Sequence, residues 1–437
     1  MPRLSASFRA LASRNYRLFM VGQGVSLVGT WMQQTGIQWL VYAKTGSPAM
    51  LGAVMFFGQI PAFFLAPIAG VFSDRLDRRR TLFVTQAVAM TQAVLLVALM
   101  WTGEIEIWQI IALSALLGVV NAFDMPTRQA FLIDMAPTRA DLPNAIALNS
   151  SMVNLSRLIG PLLGGLVIAW GGVRACFVAN ALSYVAVILA LFAMRDLPRR
   201  PPLASSPVFR GLVEGFAYAF GFAPIRALLL MVAMTSLFGT STMTLFPVFA
   251  KDVLHGDARL FGYLSGAAGF GSLAAALYLA SRTTVVGLGP KIAWSAAGMG
   301  ASSIAFAASR SAPLSLLILV AFGFSLMLLL AGCNTLLQTV VEDDKRGRVM
   351  SLYTMAFMGT VPLGSLLAGT LASYFGASRA VSLGGFACIA GAGIFAWRLP
   401  RLRSQVQPIY ERAGLVPAVT AALETTAELT TAPEEPA

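Results

Sequence analysis

Charged side chains are scarce in this chain. Asp, Glu, Lys and Arg make up 11% of its 437 residues, against about a quarter in a soluble domain. Histidine is nearly missing. His255 stands alone in the polar stretch K-D-V-L-H-G-D, and one imidazole supports neither a metal site nor a histidine relay. Cysteine is limited to Cys176, Cys333 and Cys388, far apart in apolar runs with no C-x-x-C pair. Disulfide and zinc frameworks are therefore excluded, and the three read as small buried residues. The chain has no G-x-x-x-x-G-K-[ST], H-E-x-x-H or G-x-S-x-G. A phosphate loop for ATP and the corresponding metallo- and serine-hydrolase chemistries are thus absent. No carboxylate lies deep in an apolar run, so an intramembrane hydrolase has nothing to work with. The chain does not read as an enzyme, and no cofactor or metal is implied.

What is present is apolar sequence: 57% of residues are hydrophobic and the mean hydropathy is +0.74. A helix needs ~20 apolar residues to cross ~30 Å of hydrocarbon. Twelve candidate spans can be marked, at 17–41, 49–72, 81–102, 107–125, 144–170, 173–194, 226–250, 259–280, 290–309, 313–337, 349–374 and 379–398. The expected class is an all-α membrane protein. Residues 1–194 form an N-terminal six-helix half and 226–403 a C-terminal one. Between them 195–225, rich in proline and arginine, reads as a cytoplasmic linker. Residues 404–437 have little to bury and read as a disordered cytoplasmic tail. The basic N-terminus has no small-residue cleavage site and runs into a spanning-length segment, so it is not a removed signal peptide.

The net charge of +12 is positional. Of 31 Lys and Arg, 24 fall on the side holding the N-terminus, six on the other, and Arg157 inside a span. By the positive-inside rule both termini are cytoplasmic, and the surplus does not call for nucleic acid. The halves also repeat. A shift of 210 brings S-L-V-G-T at 26–30 onto S-L-F-G-T at 236–240. A shift of 204 brings G-P-L-L-G-G at 160–165 onto G-S-L-L-A-G at 364–369. Six spans separate the copies, an even number, so the repeat is parallel, with a substrate site expected where the halves meet.

Three groups of residues carry the functional reading. At the end of the second span, G-V-F-S-D-R-L-D-R-R-R contains Gly70, Asp74, Arg75, Arg78 and Arg79; a dense basic turn follows a glycine that lets helices approach. In the fifth span Arg157 lies near mid-depth, costing roughly 2.5–3.5 kcal/mol unless it faces protein or water. Ser150, Asn154, Arg157 and Pro161 fall within roughly 80° of one face, and Gly160, Pro161, Gly164 and Gly165 mark a bent, closely packed helix. The position equivalent to Arg157 in the second half is Val361. Polar residues also stripe spans 1, 4, 7 and 10. These include Gln23, Ser26, Thr30, Gln34 and Gln38; Ser114 and Asn121; Ser236, Thr240 and Thr244; and Asn334 and Gln338. Such groups are expensive in hydrocarbon unless they bond other helices or line water. We expect Gln34, Gln38, Asn121, Asn154, Arg157 and Asn334 to face a central cavity. Asp124 is the nearest titratable candidate for coupling, and an ion pair with Arg128 or the 2–3 loop is its rival role.

These residues resemble the major facilitator superfamily over the chain to about residue 400. The 2–3 loop looks like that superfamily's signature loop, departing at Asp77, where the family usually has glycine. The resemblance implies a gating role for Gly70, Asp74, Arg75, Arg78 and Arg79. Ser156, Gly160, Pro161, Gly164 and Gly165 resemble the helix 5 motif of drug/proton antiporters, with Ser156 standing for glycine. N-A-F-D-M-P-T-R-Q-A-F at 121–131 and N-L-S-R-L-I-G-P at 154–161 are most similar to the bacterial branch containing the enterobactin exporter and macrolide-efflux proteins. The resemblance implies rocking of two halves about a central cavity. It also implies export of small, partly apolar molecules, siderophores or antibiotics, from the bacterial inner membrane, with the proton gradient as driver and a monomer in the lipid bilayer as the working unit. The fourth span lacks the membrane arginine typical of drug antiporters. Uptake, lipid flipping and a non-transporting receptor or scaffold remain alternatives. Arg157 favours anionic or polar substrates.

Overall fold

The computed structural model describes residues 6–135, 138, 141–195, 208–282 and 284–412. Within them the chain is helical throughout, with no strand. After a short 3-10 turn, α1 spans Arg14–Thr45, α2 Pro48–Arg75, α3 Arg78–Thr102, α4 Ile107–Met135 and α5 Leu142–Ala193. A short helix, α6, covers Val208–Gly221. Then come α7 over Ala223–Val253, α8 Ala258–Ala280, α9 Leu288–Ala308, α10 Ala312–Val340, α11 Arg346–Phe375 and α12 Ala377–Arg412. Among the described residues nine helices are long and apolar enough to cross a membrane. The shortfall against the expected twelve has named causes. α5 is a 52-residue run that reverses at Gly172, whose φ of 76° suits only glycine well. α1 carries Gln23, Gln33, Gln34 and Gln38, which dilute its hydropathy, and α9 is rich in Gly, Ala and Ser.

Capping explains several boundaries. Asp77, the departure from the signature loop, is the N-cap of α3 and accepts the Arg80 backbone N–H at 2.9 Å. An acidic cap ahead of a basic first turn satisfies donors that glycine leaves to water. Asp257 caps α8 likewise through Arg259 N and Leu260 N. Exposed aromatics lie toward both ends of the bundle. Trp101, Trp108, Trp170 and Tyr374 are at one, and Trp294 and Trp397 at the end holding the N-terminus and most basic residues, the placement of interfacial belts.

Packing partnerships recur six labels on. α1 packs on α5 as α7 does on α11, α2 on α4 as α8 on α10, and α3 on α4 as α9 on α10. Two seams, α2 with α11 and α5 with α8, join the groups. Both are built on glycine at the end opposite the basic residues. The backbone of Gly52 meets Ser365 and Gly369, and that of Gly165 meets Ala258 and Gly262.

Two boundaries need correction. α12 continues through residues 404–412, which the sequence assigns to a disordered tail. Leu402, Val406, Ile409 and Tyr410 recur at helical spacing and pack on the core, and Gln407 donates to Glu411 at 3.1 Å. Residues 413–437 lie outside the described residues. α4 runs ten residues beyond the expected end at 125, through Pro126, so Asp124 and Arg128 sit within a helix. In the linker, α6 rests on α7 and α11: Gly215 touches Arg348 Cβ and Glu214 pairs with Arg348 at 3.0 Å. Residues 196–207 of the linker lie outside the description.

Candidate substrate cavity

The small residues of α5 set the site. Gly160 backs directly onto Trp31 of α1, and Gly164 onto Thr35 and Met32. This close approach places the Arg157 guanidinium over the Trp31 ring, 5.4 Å from its centroid, a cation–π arrangement. A second stripe of α5 faces α8: Leu158 lies on Gly269, Leu162 on Gly266 and Gly165 on Gly262. Leu155 and Leu163 are exposed on the outer surface. At 100° per residue Arg157 falls between the two packed stripes and opposite those leucines. Its side chain therefore points inward at the level where the α5–α8 contacts reach Gly269.

The seams are graded along the helices. At the opposite end they are dense. Ala49 N donates to Ser373 Oγ at 3.0 Å, Trp39 stacks on Phe261 at 6.3 Å, and Tyr42 OH donates to Asp252 with the Lys251 ammonium above its ring. The close glycine contacts between the groups end at Gly269 on Leu158 and Gly359 on Phe63. From there toward the basic end, Ser150, Gln338, Thr354, Met355 and Met358 are exposed. The bundle is thus sealed at one end and widens toward the other.

The remaining expected cavity residues are placed as follows. Gln34, Gln38, Asn121, Asn154 and Asn334 are all partly buried. Gln34 and Gln38 lie within about 60° of Trp31 on α1. Asn154 Nδ2 donates to Ser150 O at 2.9 Å, and Gln338 Nε2 donates to Asn334 Oδ1. Among the described residues no hydrogen bond joins these five to Arg157. Asp124 makes the ion pair with Arg128 that was its alternative expectation. Its buried carboxylate pairs with Arg128 and accepts from Thr85 Oγ1 at 2.9 Å and Gln86 Nε2 at 2.7 Å. Of the loop residues, Arg78 pairs with Asp134 at 2.7 Å and reaches Ala130 O at 3.1 Å; Arg79 reaches Phe192 O at 3.3 Å. Gly70, Asp74 and Arg75 lie on α2, and their side-chain environments fall outside the described residues. At the basic end, the hydrogen bond to Glu342 raises the Lys345 ammonium above the ordinary lysine range.

Sequence reasoning missed a buried network. Gln33 Nε2 donates to Gln92 Oε1 at 3.0 Å and accepts from Asn180 Nδ2 at 2.8 Å, tying α1, α3 and the second arm of α5. The signal was Gln33 standing seven residues after buried Ser26, two helical turns along the same face. In α7 the helix tightens to 3-10 geometry at Thr240–Leu245 and loosens to a π turn at Phe249–Val253. There Thr244 hydrogen-bonds Ser365 at 2.9 Å, while Ser236 Oγ and Thr240 Oγ1 are buried without partners. Two apolar grooves of about 370 and 390 Å³, one along Val25, Val28 and Leu163 and one beside Phe375 and Phe386, lie on the outer surface away from Arg157.

The profile of the family described as transmembrane secretion effector matches residues 5–425. The chain is similar to the staphyloferrin A transporter of Staphylococcus aureus, 26% identical over 87% of this chain and 95% of that one. It is likewise similar to the multidrug efflux pump Tap of Mycobacterium tuberculosis, 27% identical over 87% and 91%. A bacterial homologue of the human lysosomal transporter Spinster, solved inward-facing and unoccupied, superposes with a TM-score of 0.67. It is 15% identical, with 93% of this chain and 99% of that one covered, a likeness of fold.

Proposed function

The chain belongs to the transmembrane secretion effector family of major-facilitator transporters, and from that premise we propose that it exports small, partly apolar molecules of the siderophore or antibiotic class across the bacterial inner membrane by alternating access. It is a multi-pass membrane transporter, not an enzyme. We count twelve crossings, taking α5 as two on either side of Gly172 and adding α1 and α9 to the nine apolar helices. With 24 of 31 basic residues at one end, that end and both termini are cytoplasmic, and the protein works as a monomer.

The observation that carries the reading is the graded seam. Glycine contacts close the external end and stop at the level of Arg157, and the bundle widens toward the cytoplasm. This is the shape of a carrier waiting for cytoplasmic cargo. Arg157, Gln34, Gln38, Asn121, Asn154 and Asn334 line the cavity. Gly160, Pro161, Gly164 and Gly165 let α5 bend and slide on α1 and α8. Arg78 and Arg79 hold the cytoplasmic end of α3 to α4 and α5, with Gly70, Asp74 and Arg75 in the same gate. The proton gradient is the driving force. Asp124 is the coupling candidate, and to take a proton it must release Arg128. Everted membrane vesicles test this directly. Cargo should accumulate inside them and cease to do so when nigericin collapses the pH gradient. Accumulation indifferent to nigericin removes the proton from the account, and accumulation only in right-side-out vesicles reverses the direction.

A further inference from the structure

We propose that the cavity selects cargo bearing a carboxylate, which Arg157 receives against the face of Trp31. The proposal rests on the transporter reading and specifies the chemistry of its cargo.

Asp124 is taken by Arg128, Thr85 and Gln86, and Asp134 by Arg78. The other ion pairs, Arg259–Asp257, Lys345–Glu342, Arg346–Asp343 and Arg348–Glu214, sit in turns and at helix ends. Among the described residues Arg157 belongs to no ion pair, and its Nε is buried with no hydrogen-bond partner. A mid-depth guanidinium left this way is costly, and buried polar groups of native proteins are otherwise nearly always satisfied.

Geometry narrows what can satisfy it. Trp31 covers one face of the guanidinium and Nε is enclosed, which leaves Nη1 and Nη2, without a hydrogen bond among the described residues and not among the fully buried atoms, as the open edge of the fork. That edge matches a planar, bidentate anion, and a carboxylate makes two parallel charge-assisted bonds to it. A cationic cargo meets only repulsion, with no free carboxylate at this level among the described residues to offset it. The two-fold equivalent of Arg157 is Val361, so the pocket offers one cationic anchor. The indole of Trp31 and the neighbouring Leu158 supply an apolar wall for the rest of the molecule. Gly160 is what makes the pair possible, since a Cβ there would stand 2.3 Å from Trp31 Cβ.

The test uses everted vesicles and two dyes, anionic carboxyfluorescein and cationic ethidium. With the wild-type protein, carboxyfluorescein should accumulate above empty-vector vesicles. Arg157→Gln should lower that rate about tenfold or more and Arg157→Lys should retain part of it, while ethidium flux, low in the wild type, should rise or hold in Arg157→Gln as the repelling charge is removed. Melting of the purified full chain separates cargo binding from a structural anchor. Removing an uncompensated charge should leave the melting temperature of Arg157→Gln unchanged or raised, whereas a structural ion pair would lower it. Equal carboxyfluorescein rates in wild type and Arg157→Gln overturn the proposal. So does carriage of ethidium without carboxyfluorescein, which leaves the transporter reading standing. Vesicles that carry neither dye count against both.

Discussion

Substituting Gly165 with alanine should shift the protein away from the state sealed at the end opposite the basic residues. A Cβ at Gly165 would stand 2.5 Å from Ala258 O and 2.9 Å from Gly262 Cα, where ordinary contact is 3.4–4 Å. Both neighbours are backbone atoms of α8, so no rotamer change relieves the clash, and α5 and α8 must part by about 1 Å. Overpacking of this kind costs ~1–3 kcal/mol, which is about 5–150-fold in a two-state population. In a state open at that end this seam is already apart and the methyl group costs little. Spin labels at Glu104, between α3 and α4, and Arg310, between α9 and α10, bracket the sealed end across the two groups of helices. Double electron–electron resonance should show a longer-distance component in Gly165→Ala that the parent lacks. Gly393→Ala is the control, because a Cβ there meets no atom within 4 Å. An unchanged distance distribution in folded Gly165→Ala, or an equal shift in Gly393→Ala, would refute the reasoning.

Three further outcomes follow from named contacts. Asp124→Asn leaves Arg128 without its charge partner in a largely buried setting and should destabilise the purified protein by about 2–5 kcal/mol, read as a lowered melting temperature. Gln33→Leu strands Gln92 Oε1 and Asn180 Nδ2, at a cost of ~1–3 kcal/mol for each stranded group, while Gln34→Leu one position away should leave melting unchanged. Truncation after Arg412 should preserve the melting temperature. Truncation after Arg403 removes the packing of Val406, Ile409 and Tyr410 and should lower stability by ~1–3 kcal/mol.

The fold was legible because lipid imposes a single rule, that every crossing must satisfy its own backbone. Apolar length therefore carried the all-helical, membrane-spanning class. The errors fell where membrane logic ends. α12 continues past 403 on an apolar face that packs on protein, and α4 continues through Pro126, past the usual stop signal. Arg157 was visible because a charge at mid-depth is conspicuous in any sequence. Trp31 was not, because an aromatic in an apolar run carries no mark until Gly160 brings α5 against it. Gln33 and Gln34 show the same limit. Both are amides on one helix, and only the neighbouring Gln92 and Asn180 decide which of them bonds within the protein. The ion pair of Asp124 with Arg128, four residues on, is one that helical spacing already allowed.

The central claim is export. The most direct measurement is the cellular content of siderophores and antibiotics in a strain lacking this protein, compared with the same strain complemented by it. The account predicts that at least one small, partly apolar compound is retained at a higher level in the deletion strain and falls on complementation. Equal contents throughout, or a lower content in the deletion strain, would contradict it.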